Sequence, residues 1–206
     1  MKQRFNKKIF TASLFFRDIG YLIWNLPKFL AIRKNIDISN IFIEKIMTVT
    51  TAVNGCVYCA WLHAKKAIES GISDEEIKNM MKLQFQADST EFELIGLLYA
   101  QHYAETNRKP EPEMTEKLFN YYGEPTSSQI ILLIRQINFG NLYGNTWDAV
   151  MSRFKGIPSP NSNIIFEICF LLLNFVFFIP VTILMKLEKK PNQDELKIKA
   201  KRTTPI

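Results

Sequence analysis

The sequence predicts an all-α fold, and three observations carry that expectation. No run of alternating apolar and polar residues marks a strand anywhere in the 206 residues. Apolar residues recur at helical spacing, in segments that open on Ser, Thr or Asp and close near Gly or Pro. There is no repeat at solenoid or propeller periods and no low-complexity tract, so the length suits one domain with extensions.

The elements follow in order. Residues 5–33 alternate apolar clusters with lysines and arginines and read as one or two helices, interrupted at Pro27. The apolar run Ile9–Phe16 stops at Arg17-Asp18 without a small-residue cleavage site, so it is not read as a signal peptide. Residues 1–35 are thus a basic, aromatic N-terminal arm, packed on the core or another subunit, or lying at a membrane interface. Asp37 or Ser39 caps a helix from about Asn40 to Val53, with Ile41, Ile46 and Val49 among its apolar positions. Asn54-Gly55 breaks it, and a second helix runs from Cys56 to Ser70 and stops at Gly71. Ser73 opens the next with a capping box to Glu76, and that helix runs to about Phe85. Another covers Thr90–Glu105, and Pro110 and Pro112 mark the loop after it. A short helix over Met114–Tyr122 precedes a long one over Thr126–Phe154, with Gly140 and Gly144 as places for a bend.

Residues 162–187 are a hydrophobic helix or membrane anchor, followed by a basic tail, 188–206. Ile168–Met185 is eighteen residues without a charge, near the length of a membrane span. Glu167, Asn174 and Pro180 count against a straight crossing. So do the flanks: the basic tail and the preceding domain both belong on the cytoplasmic side. A monotopic or re-entrant anchor bent at Pro180 reconciles them, and so does a helix buried between subunits.

Net charge is +6, unevenly spread. Residues 1–40 hold eight Lys/Arg against two acids, and residues 186–206 hold seven against three. The middle then has eleven bases and fifteen acids, a net of −4. A nucleic-acid-binding domain would carry its basic patch on the folded core, so nucleic acid is excluded as a partner. Basic ends beside apolar, aromatic sequence point to anionic lipid instead. Three cysteines do not make a disulfide scaffold. Cys169, alone in an apolar segment, reads as a small buried hydrophobe.

The chemistry concentrates in Asn54-Gly55-Cys56-Val57-Tyr58-Cys59-Ala60-Trp61-Leu62-His63. Spacings of three and four bring Cys56, Cys59 and His63 to one helix face. Cys56 falls at a helix N-terminus, where N–H groups and the macrodipole favour a thiolate. His63, four residues past Cys59, is a natural proton acceptor for that thiol. Glu44 sits among Ile41, Phe42, Ile43 and Ile46, which argues against a merely solvated carboxylate. His102 has no sequence partner and is read as structural or exposed. Tyr58 and Trp61 line either the thiol pocket or a subunit contact.

Glu44, eleven intervening residues and then Cys56-x-x-Cys59-x-x-x-His63 resembles the signature of the alkylhydroperoxidase D-like (AhpD-like) branch of the carboxymuconolactone decarboxylase superfamily. Glu69–Ile77, Asn138-Phe139 and Asn145–Asp148 look similar too, so the resemblance covers roughly residues 36–155 and sets a domain at 36–157. Tyr58 stands where some relatives carry a histidine, so any supporting role of that histidine is missing here. No catalytic role is carried onto Trp147 or Asp148.

The resemblance implies a thiol-dependent peroxidase and disulfide oxidoreductase with Cys56, Cys59, His63 and Glu44 as its catalytic residues. A hydroperoxide is its substrate and a dithiol or thioredoxin-like reductant its co-substrate, and no cofactor or metal is required. It also implies a trimer or hexamer. The base-coupled sulfur is Cys59 by its spacing to His63, although the helix N-terminus favours Cys56 as the more acidic thiol. Three alternatives stay open: a membrane-associated redox switch, a disulfide exchanger acting on protein clients, and a zinc-binding structural module of Cys56, Cys59, His63 and Glu44. The expected location is cytoplasmic, with attachment to the cytoplasmic membrane face as the variant.

Overall fold

A computed structural model describes residues 5–28 and 38–175 of the chain. The described residues form helices and no strand. They divide into two units, Met1–Ser162 and Asn163–Ile206. The proposed boundary at 35/36, Asp37 as a cap, and the tail 188–206 lie outside the described residues.

In the first unit α1 spans Ala12–Trp24, α2 Asn40–Asn54, α3 Val57–Glu69, α4 Asp74–Met81, α5 Glu91–Glu105 and α6 Pro112–Phe154. Helix α2 is the centre: it packs on α3, α4, α5 and α6. Phe42, Ile46 and Val49 of α2 are buried with Met80, Phe85, Leu97, Leu118, Ile130 and Ile134 in one core. Gly96 lets α2 and α5 approach, since a Cβ there would lie 2.6 Å from the Phe42 ring.

Local chemistry explains the boundaries. Ser39 Oγ accepts from Phe42 N–H to cap α2, and Gly55 ends it in the left-handed region, φ 67°. Ser73 caps α4 by accepting from Glu76 N–H, but the reciprocal half of the expected capping box is absent. The Glu76 carboxylate turns instead to Lys45, 2.6 Å away. Thr90 and Glu93 form a complete box at the start of α5. Helix α4 stops at Met81, short of the expected Phe85, because Leu83 takes a positive φ of 60° and Gln84 N–H closes back on Asn79 O. Phe85 is buried without being helical.

Helix α6 is two helices joined at Gly123 (φ 74°, ψ 172°), with Ser127 Oγ bonding Leu118 O across the break. No bend occurs at Gly140 or Gly144; only Gly123 leaves helical φ/ψ. Lys45 is buried between Glu76 and Glu93, at 2.6 and 2.9 Å. Desolvation opposes its charge, but the two carboxylates prevail and raise its pKa.

The arm is ordered by α6. From residue 7 to residue 21 it runs antiparallel to that helix: Lys7 meets Asp148, Phe10 N–H donates to Thr146 Oγ1, and Tyr21 lies under Arg135. Phe10 and Phe15 pack on Phe139 between these points.

In the second unit α7 spans Ile164–Leu173, capped by Asn163 Oδ1 accepting from Ile165 and Phe166 N–H. The rest of the hydrophobic stretch, residues 176–187, lies outside the described residues. No described helix is long and apolar enough to cross a membrane. Cys169 is exposed, contrary to the buried position expected from its apolar neighbours. The buried side of this ten-residue helix carries Phe166, Glu167 and Phe170, and Cys169 falls on an open side.

Candidate active site

The Asn54-Gly55 turn delivers Cys56 to the N-cap of α3 rather than to its first turn. There Cys56 Sγ accepts from Cys59 N–H at 3.4 Å, as a capping oxygen would. The two sulfurs, both free thiols, are 2.8 Å apart. Helical spacing puts Cys59 directly over the cap, so the contact follows from the three-residue interval.

The two thiols differ in environment. Cys56 is 1 % exposed, whereas Cys59 is only partly buried. The hydrogen bond from the Cys59 thiol lowers the Cys56 pKa to about 7 against the opposing effect of burial, helped by the Cys59 N–H and the Lys7 charge. The same contact, and burial, raise Cys59. Cys56 is thus the acidic thiol of the two, and the contact between the sulfurs is the largest cause. Between two sulfurs this close the remaining proton is shared, so the first ionisation belongs to the pair.

Glu44 and His63 come together as a second pair. His63 Nδ1 and Glu44 Oε2 are 2.7 Å apart, with side chains only 10 and 13 % exposed. A carboxylate on Nδ1 orients the imidazole and leaves Nε2 for proton exchange. His63 lies one turn beyond Cys59 on α3, with no hydrogen bond to either sulfur among the described residues. His102 is structural: its Nε2 accepts from Glu111 N–H at 3.2 Å, at the start of α6.

Three contributors were not expected from the sequence. Lys7, from the arm, pairs with Asp148 at 2.5 Å and bears on Cys56. Asp148 also takes a hydrogen bond from Tyr58, whose pKa it raises. Gly144 is the socket for Cys56: a Cβ there would lie 2.8 Å from Sγ. Behind them stands a buried asparagine ladder on α6. Asn138 Oδ1 accepts from Asn54 Nδ2 at 2.8 Å, and Asn145 Nδ2 bonds both Asn54 O (2.8 Å) and Lys8 O (3.0 Å). These bonds fix the turn that carries the thiols. Asn138 and Asn145 were marked in the sequence by the resemblance, without a role attached to either.

Among the described residues no group of three or more His, Cys, Asp or Glu is arranged to hold a metal ion. The first half of α3 has an apolar surface, with Val57, Tyr58, Trp61 and Leu62 exposed around the thiols.

Residues 31–89 match the carboxymuconolactone decarboxylase family, a stretch that contains Glu44, Cys56, Cys59 and His63. This supports the resemblance at the level of the superfamily, and the all-α fold agrees with it. A search of curated proteins finds no match.

Proposed function

We propose that this chain is a two-cysteine oxidoreductase of the AhpD-like branch that reduces hydroperoxides. The observation that carries the reading is the free Cys56–Cys59 pair, 2.8 Å apart, with a first ionisation near neutral pH. Cys56 holds the charge but is sealed; Cys59 is the sulfur a peroxide reaches. As Cys59 attacks the terminal oxygen, its proton passes through water to His63. The O–O bond breaks, the alkoxide takes a proton from His63 and leaves as the alcohol, and Cys59 becomes a sulfenic acid. The Cys56 thiolate then attacks Cys59, forming the disulfide and expelling hydroxide, which takes a proton from solvent and leaves as water. A dithiol reductant, a thioredoxin-like protein or small dithiol, supplies two electrons through a mixed disulfide and restores both thiols. Glu44 keeps the imidazole oriented and offsets the imidazolium charge. No cofactor or metal enters this sequence.

The apolar face of α3 suits a protein contact, and we assign it to the subunit interface of a homo-oligomer, trimeric or hexameric as the resemblance implies. A cytoplasmic setting would keep the dithiol supplied with reductant.

The test is consumption of an organic hydroperoxide with dithiothreitol as reductant. Wild type should turn over, and Cys56→Ser and Cys59→Ser should not. His63→Ala and Glu44→Gln should slow turnover with the fold intact, by about 10²-fold or more for the histidine. Substantial turnover in Cys59→Ser would refute the mechanism. A reversible Cys56–Cys59 disulfide without turnover would identify a redox switch or disulfide exchanger instead.

A further inference from the structure

At the end of the arm remote from the thiols, α1, α5 and α6 enclose a cavity of about 320 Å³. Its charged and polar lining is Arg17, Asp18, Tyr21, Tyr103, Arg108 and Arg135. Three guanidiniums against one carboxylate leave it two positive charges in excess. Asp18 is already committed: it pairs with Arg108 and, at 3.4 Å, with Arg17. Among the described residues Arg135 pairs with no carboxylate; it bonds the Tyr103 hydroxyl and lies 4.1 Å over the Tyr21 ring, and its buried Nε has no hydrogen-bond partner. Arg108, 7 % exposed, follows a turn in which both it and Asn107 hold positive φ, so the backbone accepts strain to present it. Burial, and repulsion from Arg17 and Arg135, lower its pKa to about 10. A cavity lined by three guanidiniums and one carboxylate is arranged to receive an anion.

The other face of α1 says where that anion comes from. Phe16, Ile23 and Trp24 are 60, 67 and 87 % exposed. Their spacings of seven and eight place them on one stripe, which exposed Leu26 and Lys28 extend. Arg17, 64 % exposed at its side chain, stands between this stripe and the cavity. A tryptophan at the edge of an apolar stripe, flanked by cations, is the composition of an interfacial helix.

We propose that α1 docks on an anionic phospholipid surface, with Phe16, Ile23 and Trp24 entering the interface and a lipid phosphate seated among Arg17, Arg108 and Arg135. The assignment is independent of the thiol chemistry. It makes the arm, rather than the C-terminal segment, the part that recognises lipid charge.

The experiment is flotation of the full chain with phosphatidylcholine vesicles, with and without phosphatidylglycerol. Wild type should float with the anionic vesicles and weakly or not at all with the neutral ones. Trp24→Ser should lower anionic-vesicle binding about tenfold, and Arg135→Gln should lower it about fivefold, as one lost cation near the surface does. If Arg135→Gln fails to fold, Arg17→Gln, at an exposed position, reads the same effect. Binding that neither the Trp24 nor the arginine variant reduces would place lipid contact on the C-terminal segment and overturn the proposal. Inorganic phosphate that raises the melting temperature of wild type but not Arg135→Gln, without vesicle binding, would assign the cavity to a soluble anion and also overturn it. So would an oligomer that Trp24→Ser dissociates in the absence of vesicle binding, since a second copy would then cover the stripe.

Discussion

Gly144→Ala tests whether α6 really sets the geometry of the thiols. The added Cβ would lie 2.8 Å from Cys56 Sγ and 3.6 Å from the Tyr58 ring. Non-bonded heavy atoms settle at about 3.5–4.0 Å, so the sulfur must retreat by about 1 Å or the helix must shift. Overpacking of this kind costs about 1–3 kcal/mol, while Gly to Ala in a helix interior returns about 1 kcal/mol. Gly140→Ala is the matched control: it sits one turn earlier in the same helix, and its Cβ would meet nothing within 4 Å. It takes the propensity gain alone. The two variants should therefore differ by about 1–3 kcal/mol, or about 2–12 °C in melting temperature for a chain of this size. The thiols report the same displacement. Moving Cys56 from Cys59 weakens the hydrogen bond that holds it near 7, so its ionisation, followed by ultraviolet thiolate absorbance, should move up towards the ordinary range near about 8.5. Gly140→Ala should leave it in place. If Gly144→Ala melts like Gly140→Ala and keeps the low midpoint, the socket is not what positions Cys56.

Three further outcomes follow from the same contacts. In wild type the first thiolate step should centre on about 7. Because folding depresses this pKa, the stability it adds is present above the unfolded value and lost as pH falls through about 7; Cys56→Ser should abolish that slope in denaturant titrations. Lys7→Met removes a cation that favours the Cys56 thiolate, so the thiolate midpoint should rise above its wild-type position, and an unmoved midpoint would rule the lysine out. Lys45→Met strands Glu76 and Glu93 beside a buried site, and urea unfolding should show a loss of about 3–5 kcal/mol with the thiol midpoint unchanged.

What the sequence disclosed was local. Ser39 and Ser73 could be read as caps, Gly55 as a helix stop, and the Cys56–Cys59–His63 spacing as one face, because each depends on residues within a turn of one another. Glu44 was reachable through the resemblance, and the structure places it 2.7 Å from His63. The misreadings share a cause. Gly144 looked like a bend because glycine in a helix weakens it locally; its actual use depends on a sulfur 88 residues away in sequence (144 against 56). Lys7 sits 141 residues from Asp148, and nothing in a basic, aromatic arm marks one lysine among several. Glu76 fitted a capping box, but a buried lysine on another helix competed for its carboxylate and prevailed. Hydrogen-bond demand in the core overrode the local pattern there.

Asn145 joins two stretches of backbone that chemistry would otherwise keep separate, the thiol turn at Asn54 and the arm at Lys8. A chain trimmed to residues 36–157 would keep every letter of the Glu-Cys-Cys-His signature. It would lose the lysine that helps make one thiol acidic and half of the clamp that holds the turn. The signature supplies the larger part of the thiol acidity through the Cys59 contact, and the arm adds the charge of Lys7 to it. Sequences that share the motif but differ in what precedes it should differ in thiol acidity, and a tag fused directly ahead of Lys7 could alter the chemistry without touching the site.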